Sequence, residues 1–174
     1  MRRAVITGMG IVSSLGNTLT ETLTSLQEGQ SGIRFIKEYQ DLGLRSQVGA
    51  FTTVDPKEHI DKKNLRFMGD AAAYAAIAMQ QAIADAELTE ADICNPRTGL
   101  IIGSGGTSAE NVVATADIMR EKGLKRLSPF MVPRTMSSTV SACLTNMFCI
   151  RGQCYSISSA CATGSHCIGA ALEQ

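Results

Sequence analysis

Apolar positions along this chain follow two different periods. Three short runs read as strands: Arg3 to Gly8 around Ala4-Val5-Ile6, Thr98 to Ile102, and Gln153 to Ser158. Between them, apolar residues recur at helical spacing. Leu19, Leu23 and Leu26 share one helix face. Thr18-Leu19-Thr20-Glu21 ahead of them has capping-box spacing, and Gly29 lies where such a helix would stop. Phe67 to Ala86 is alanine-rich and free of Gly and Pro after Gly69, which predicts the strongest helix. Residues 109–120 predict another, followed by a basic loop around Lys122 to Arg126. Pro133 opens a further helix that runs to about Ile150 through Met136, Val140, Cys143 and Leu144. From about Cys161 the chain reads as helix again.

Residues 30–60 look irregular, and Asn95-Pro96 breaks the chain before the second strand. Strands alternating with helices predict an α/β sandwich with a largely parallel sheet. The 174 residues hold no linker, low-complexity segment or internal repeat, so one domain with its own core is expected.

Hydrophobic residues at 44% and charged residues at 18% fit a soluble globular chain. The formal net charge of zero gives no global pull toward nucleic acid or an anionic membrane. No apolar run reaches about 18 residues, so no membrane insertion is expected. Met1-Arg2-Arg3 puts charge ahead of apolar residues, but Gly8 and Gly10 interrupt the run and no cleavage-like end follows. A cytoplasmic protein is expected. None of the six cysteines forms a C-x-x-C pair, which argues against a zinc site, and disulfides are not expected. Most of these cysteines read as small buried hydrophobes.

Gly8-Met9-Gly10-Ile11-Val12-Ser13 begins like a dinucleotide fingerprint. Ser13 stands where its third glycine belongs, and no later strand ends in an acidic residue at the right distance. A tight strand exit is the preferred reading. Gly103-Ser104-Gly105-Gly106 lacks the Gly-Lys-Ser/Thr ending of a phosphate-binding loop. Its glycines suit close backbone approach, in packing or beside a ligand.

Ser156-Ile157-Ser158-Ser159-Ala160-Cys161 carries a strand into a turn, and Ala162, Gly164, Ser165, Gly169, Ala170 and Ala171 follow as a helix small on every side. Such a helix fits where neighbours press all round it. Cys161 at its N-terminus would meet backbone N–H groups that favour a thiolate, the reactive form of a nucleophile. From spacing alone, a buried structural cysteine like its neighbours is the favoured reading. His166 lies about 140° around the helix from Cys161, a poor partner for it, and reads as a packing histidine. His59 has no evident role. The chain thus offers a nucleophile without a base, and it ends inside its last helix with no stop signal after Gln174. Both features suggest part of something longer.

These residues resemble the β-ketoacyl-acyl carrier protein synthases, the decarboxylating condensing enzymes of fatty acid synthesis. Arg3-Ala4-Val5-Ile6-Thr7-Gly8 with Ile11-Val12-Ser13-Ser14, and Gly29 with Ser31-Gly32-Ile33, are similar to the family's opening segments. The most specific stretch is Ser156 to Gly164, which looks like the active-site cysteine motif. His166-Cys167-Ile168-Gly169 is more similar to synthase I than to synthase II. The resemblance implies a thiolase-like αβαβα fold, of which residues 1–174 would be an incomplete N-terminal half. The family carries two histidines, a lysine and a second oxyanion donor in its other half, so the chain alone is not expected to be catalytically competent.

By the same resemblance, Cys161 accepts an acyl group from acyl carrier protein, and malonyl carrier protein then condenses with it after decarboxylation. No cofactor is implied. Gly106 and Met136 match positions near the acyl pocket, and the Met136 helix lies near a subunit interface, which implies a homodimer. Positions matching Lys62, Lys63, Arg66, Lys122 and Lys125 face the carrier. Read only as residues, Gly106 and Met136 are also ordinary packing, and the lysines and arginines are also solvated charge. A non-catalytic chain that binds carrier protein or a synthase subunit is the alternative to the acyltransferase.

Overall fold

A computed structural model describes residues 3–174; Met1 and Arg2, the charged start weighed above, lie outside the described residues. Two parallel strands form the centre. The chain first runs extended to a helix α1 (Leu19–Gln27), a short antiparallel pair β1 (Arg34–Phe35) and β2 (Val48–Gly49) around α2 (Lys37–Asp41), and then α3 (Lys62–Leu65). The long helix α4 (Asp70–Asp85) follows, then α5 (Glu90–Ile93) and β3 (Leu100–Ile102). After α6 (Ala109–Lys122), α7 (Met131–Thr135) and α8 (Thr139–Met147) comes β4 (Cys154–Ser156), and α9 (Thr163–Glu173) ends the chain.

β3 and β4 pair in parallel, with Ile101 opposite Tyr155. Leu100 and Ile102 point to one face, where they pack against a core of Met68, Ala72, Ala76, Ile77, Val140 and Leu144 from the start of α4, α4 itself and α8. Ile101 points to the other face, toward Ala171 of α9. The order is therefore helix, sheet, helix, as the alternation of strands and helices predicts. Alanines 72 and 76, at 2% and 0% exposure, let α8 approach α4 closely enough to enclose Leu144 completely. Burying a leucine in this way contributes about 1.5–3 kcal/mol.

The structure departs from the sequence reading in five places. Arg3 to Gly8 is extended but belongs to no sheet; Val5 and Ile6 stay 74% and 84% exposed. The segment beyond it lies along a helix instead. The Met9 N–H donates to Asp85 Oδ2 at 2.9 Å and the Ile11 N–H to Gln81 Oε1 at 3.0 Å. A Cβ on Gly8 or Gly10 would fall on the α4 backbone at Ala82 or Ala78, which is why this pair is glycine.

In α1 the stripe of Leu23 and Leu26 faces outward, and Thr22 and Ser25 are buried. The Ser25 hydroxyl donates to the Leu15 carbonyl at 2.7 Å, so the polar face is the one the preceding turn captures. Thr18 caps the helix by accepting from the Glu21 N–H, but the Glu21 carboxylate accepts from Asn17 rather than from Thr18.

The helix expected from Pro133 to Ile150 is broken at Met136, which is extended. Thr135 to Thr139 are hydroxyl residues apart from Met136, and two hydroxyls in and just after this run take up local carbonyls. Thr135 donates to the Val132 carbonyl at 2.8 Å and Ser141 to that of Ser138 at 3.1 Å.

Cys94, after α5, and Cys149, after α8, form a disulfide with a Cα–Cα distance of 4.9 Å, contrary to the expectation of free thiols. The strand pairing brings them together. Cys149 turns the chain back with φ of 54°, and Gly152 and Leu100 then bond across to Thr98 and Gln153.

Finally, α9 is not enclosed. Among the described residues, Gly164 and Gly169 have no neighbour within 4 Å of where a Cβ would be, and Ile168 is 74% exposed. His166 is accordingly an exposed residue rather than a packing one.

Candidate active site

Both parallel strands open into turns at their carboxyl ends, and the turns press on each other. The first is Gly103-Ser104-Gly105-Gly106 after β3; the second is Ile157 to Ala160 after β4. A Cβ on Gly103 would fall on the Ile157 carbonyl, and one on Gly105 would lie 2.7 Å from the Ala160 carbonyl oxygen. The Ser158 hydroxyl donates to the Ser104 carbonyl at 3.0 Å. Gly103 and Gly105 are there for close backbone approach in packing, one of the two uses read from the sequence.

This contact shapes the turn that carries Cys161. Ala160, directly before it, has φ of +48°, a left-handed conformation that a residue with a Cβ adopts only when its surroundings impose it. Ala160 to Ala162 form a single tight helical turn, and α9 begins at Thr163. Cys161 therefore sits on the turn leading into the helix, where it is solvent-exposed. It is not the structural cysteine that spacing favours. Cys167, six positions on, fills that role with 7% exposure. Burial pushes the thiol of Cys143 up from its ordinary pKa.

His166 does not reach for Cys161. Its Nδ1 lies 2.8 Å from the Ser159 hydroxyl. The sequence reading assigns no role to Thr163, yet its buried hydroxyl accepts from the Ser159 N–H and donates to the Ala160 carbonyl, both at 2.8 Å. The available signal was a hydroxyl residue at the first position of a helix behind a tight turn.

Gly106 and Met136 line one cavity of about 260 Å³, together with Ser104, Asp70, Arg134 and Val140. Cys161 is not on its wall; Ser104 joins the two, lining the cavity and bonding to the turn before the cysteine. Met136 reaches the cavity because the helix breaks there.

Lys62, Lys63 and Arg66 are exposed on and just after α3, and Lys122 and Lys125 are exposed at and beyond the end of α6. Arg66 differs from the lysines in being held. Its guanidinium lies 4.8 Å from the ring centre of Phe67 and 4.9 Å from that of Phe130. The two rings meet edge to face at 4.9 Å. The Arg134 Nε–H donates to the Arg66 carbonyl at 2.9 Å. Phe130 follows Arg126 by four residues, so this stack links Arg66 to the segment just beyond the second basic cluster. Among the described residues, no group of three His, Cys, Asp or Glu is placed to hold a metal, and no helix is long and apolar enough to cross a membrane.

A family model for the Beta-ketoacyl synthase, N-terminal domain, matches residues 1–174. The chain is 52% identical over 174 residues to 3-oxoacyl-[acyl-carrier-protein] synthase 1 of Haemophilus influenzae, covering 99% of this chain and 43% of that protein. It is 56% identical over 176 residues to the protein of the same description from Escherichia coli K12, covering 100% of this chain and 43% of that one. Among solved structures, a Beta-ketoacyl synthase from Burkholderia phymatum STM815 superimposes with a TM-score of 0.85 at 27% identity, over 99% of this chain and 43% of that chain. The fold is thus thiolase-like over the part spanned. The chain belongs to the β-ketoacyl synthase family and holds its N-terminal domain, as the motif around Cys161 implies. It spans less than half the length of these relatives.

Proposed function

We propose that this chain is the nucleophile-bearing part of a 3-oxoacyl-[acyl-carrier-protein] synthase of the synthase I type. The observation that carries the reading is the left-handed turn at Ala160, which presents an exposed cysteine at the carboxyl end of a parallel strand and the start of a helix. The Cys161 thiolate attacks the carbonyl of an acyl thioester on carrier protein; a new thioester forms and the carrier thiol leaves. Malonyl carrier protein then loses carbon dioxide, and the electron pair left on its α-carbon attacks the Cys161 thioester. The carbon–carbon bond forms, the Cys161 thiolate leaves, and the product is a 3-oxoacyl carrier protein longer by two carbons. The sequence balances without a cofactor. The Cys161 N–H serves as one oxyanion donor.

The histidines and lysine that assist decarboxylation in the family belong to the part of the protein this chain does not span, and the 174 residues alone are not competent for the full cycle. The Gly106 and Met136 cavity takes the acyl chain. Lys62, Lys63, Arg66, Lys122 and Lys125 steer the acidic carrier protein. The complete enzyme works as a homodimer in the cytoplasm.

The test is Cys161→Ala in the complete protein, assayed for condensation of acyl and malonyl carrier protein. Loss of condensation, with no acyl group retained on the protein by mass spectrometry, is expected. Retained condensation would sink the assignment.

A further inference from the structure

We infer that Thr163 is a positioning residue for Cys161, its side-chain hydroxyl clasping the turn that aims the thiol. The argument starts from Ala160, whose φ of +48° is unfavourable for any residue with a Cβ and must be held from outside. Thr163 supplies the hold. It is 5% exposed. Its Oγ1 accepts from the Ser159 N–H and donates its own proton to the Ala160 carbonyl, each at 2.8 Å. One hydroxyl therefore bridges both ends of the Ser159–Ala160 dipeptide, using its donor and one acceptor site.

Its methyl carbon, Cγ2, lies 2.9 Å from where a Cβ on Gly103 would be, so the same side chain also meets the facing glycine turn. A hydroxyl bonding back to a carbonyl three residues earlier is common at helix starts. What sets this one apart is the residue it grips, the left-handed alanine directly before the nucleophile. Without the hydroxyl, the Ser159 N–H loses its partner and the Ala160 carbonyl keeps only the Thr163 N–H. The dipeptide is then free to relax toward right-handed φ, and the direction of the Cys161 side chain turns with it.

The inference rests on Cys161 as the acyl acceptor, and two readouts keep the claims apart. In the complete synthase, Thr163→Val keeps the shape and removes the hydroxyl; Thr163→Ser keeps the hydroxyl and removes the methyl. Single-turnover transfer from acyl carrier protein to Cys161 and alkylation of Cys161 by iodoacetamide are followed by mass spectrometry, and folding is checked by thermal unfolding. The valine variant is expected to transfer about 10²-fold more slowly, the scale of a misplaced reacting group, with the KM for carrier protein unchanged. Its alkylation rate shifts too, and the serine variant stays near wild type in both. Wild-type rates in the valine variant, or equal slowing in both, would overturn the role of Thr163. Should the valine variant not fold, Thr163→Ala takes its place against serine under the same criteria. Absence of acyl transfer in the wild-type protein would remove the parent reading, and the alkylation comparison would still decide Thr163.

Discussion

Replacing Gly105 by alanine puts a methyl group 2.7 Å from the Ala160 carbonyl oxygen. Non-bonded carbon–oxygen contacts lie at about 3.3 Å or more, so the turn or the loop must yield by roughly half an ångström. Neither Gly105 nor Gly106 has a left-handed φ, so alanine suits the backbone at both. Restricting the unfolded chain then favours the alanine variant by about 0.4–1 kcal/mol at each position. At Gly105 this is opposed by overpacking, typically about 1–3 kcal/mol. A net loss of about 1–2 kcal/mol is expected there. At Gly106 no atom of the described residues lies within 4 Å of the added carbon, and the gain survives.

The two single variants of the complete protein should therefore move the melting temperature in opposite directions, by less than the roughly 2–4 °C per kcal/mol of a 150–250-residue domain, because the relatives are more than twice this chain's length. Differential scanning calorimetry reads the shift. Gly105→Ala should also slow acylation of Cys161, because the carbonyl that moves is the one Thr163 holds. Equal shifts for the two variants, or a Gly105→Ala protein as stable as Gly106→Ala, would refute the claim that the two turns are packed backbone to backbone.

Two further outcomes follow from other contacts. Phe130→Leu removes one of the two rings over Arg66 while leaving every charge in place. It should weaken carrier-protein binding by about 0.5–1 kcal/mol, the worth of an exposed cation–π contact. The slope of affinity against salt should not change; binding as tight as wild type would show that a loose Arg66 serves equally well. Asp92 closes the cap of α5, where the Thr89 hydroxyl and the Thr89 N–H donate to it and hold its carboxyl below 3.8. A carboxyl lowered on folding contributes stability above its unfolded pKa and loses it as pH falls through the folded one. The stability gap between wild type and Asp92→Asn, measured by denaturant unfolding, should thus be open at neutral pH and close in acid below 3.8. A gap constant with pH would refute it.

Much of this arrangement can be read from residue order because the signals are local. Alanine content marks α4, Gly29 marks the end of α1 with φ of +66°, and the run into Cys161 marks the passage from strand to helix. What failed depends on partners remote in sequence. Alternation in Ala4-Val5-Ile6 encodes an extended backbone but not a neighbouring strand. The outward stripe of α1 and the bare sides of α9 are apolar patterns with no cover within the described chain. The pairing of Cys94 with Cys149 follows from strand register, which spacing does not reveal. The left-handed Ala160 had no signal at all, since alanine is not a residue that favours that conformation. The turn is imposed by Gly103, Gly105 and Thr163; the sequence marks the two glycines for close approach but not what they approach, and gives Thr163 no role.

The nucleophilic cysteine takes its coordinates from the strand side of the turn and owes little to the outer surface of its helix. Gly103 and Gly105 act from the turn after β3 and the Thr163 hydroxyl from the buried start of α9, whereas among the described residues nothing lies within 4 Å of where a Cβ on Gly164 or Gly169 would be. Address and surroundings are thereby separable. Changes on the helix exterior can alter what docks against it without shifting the sulfur. A lineage could retailor the company its thiol keeps and inherit the thiol's placement unchanged.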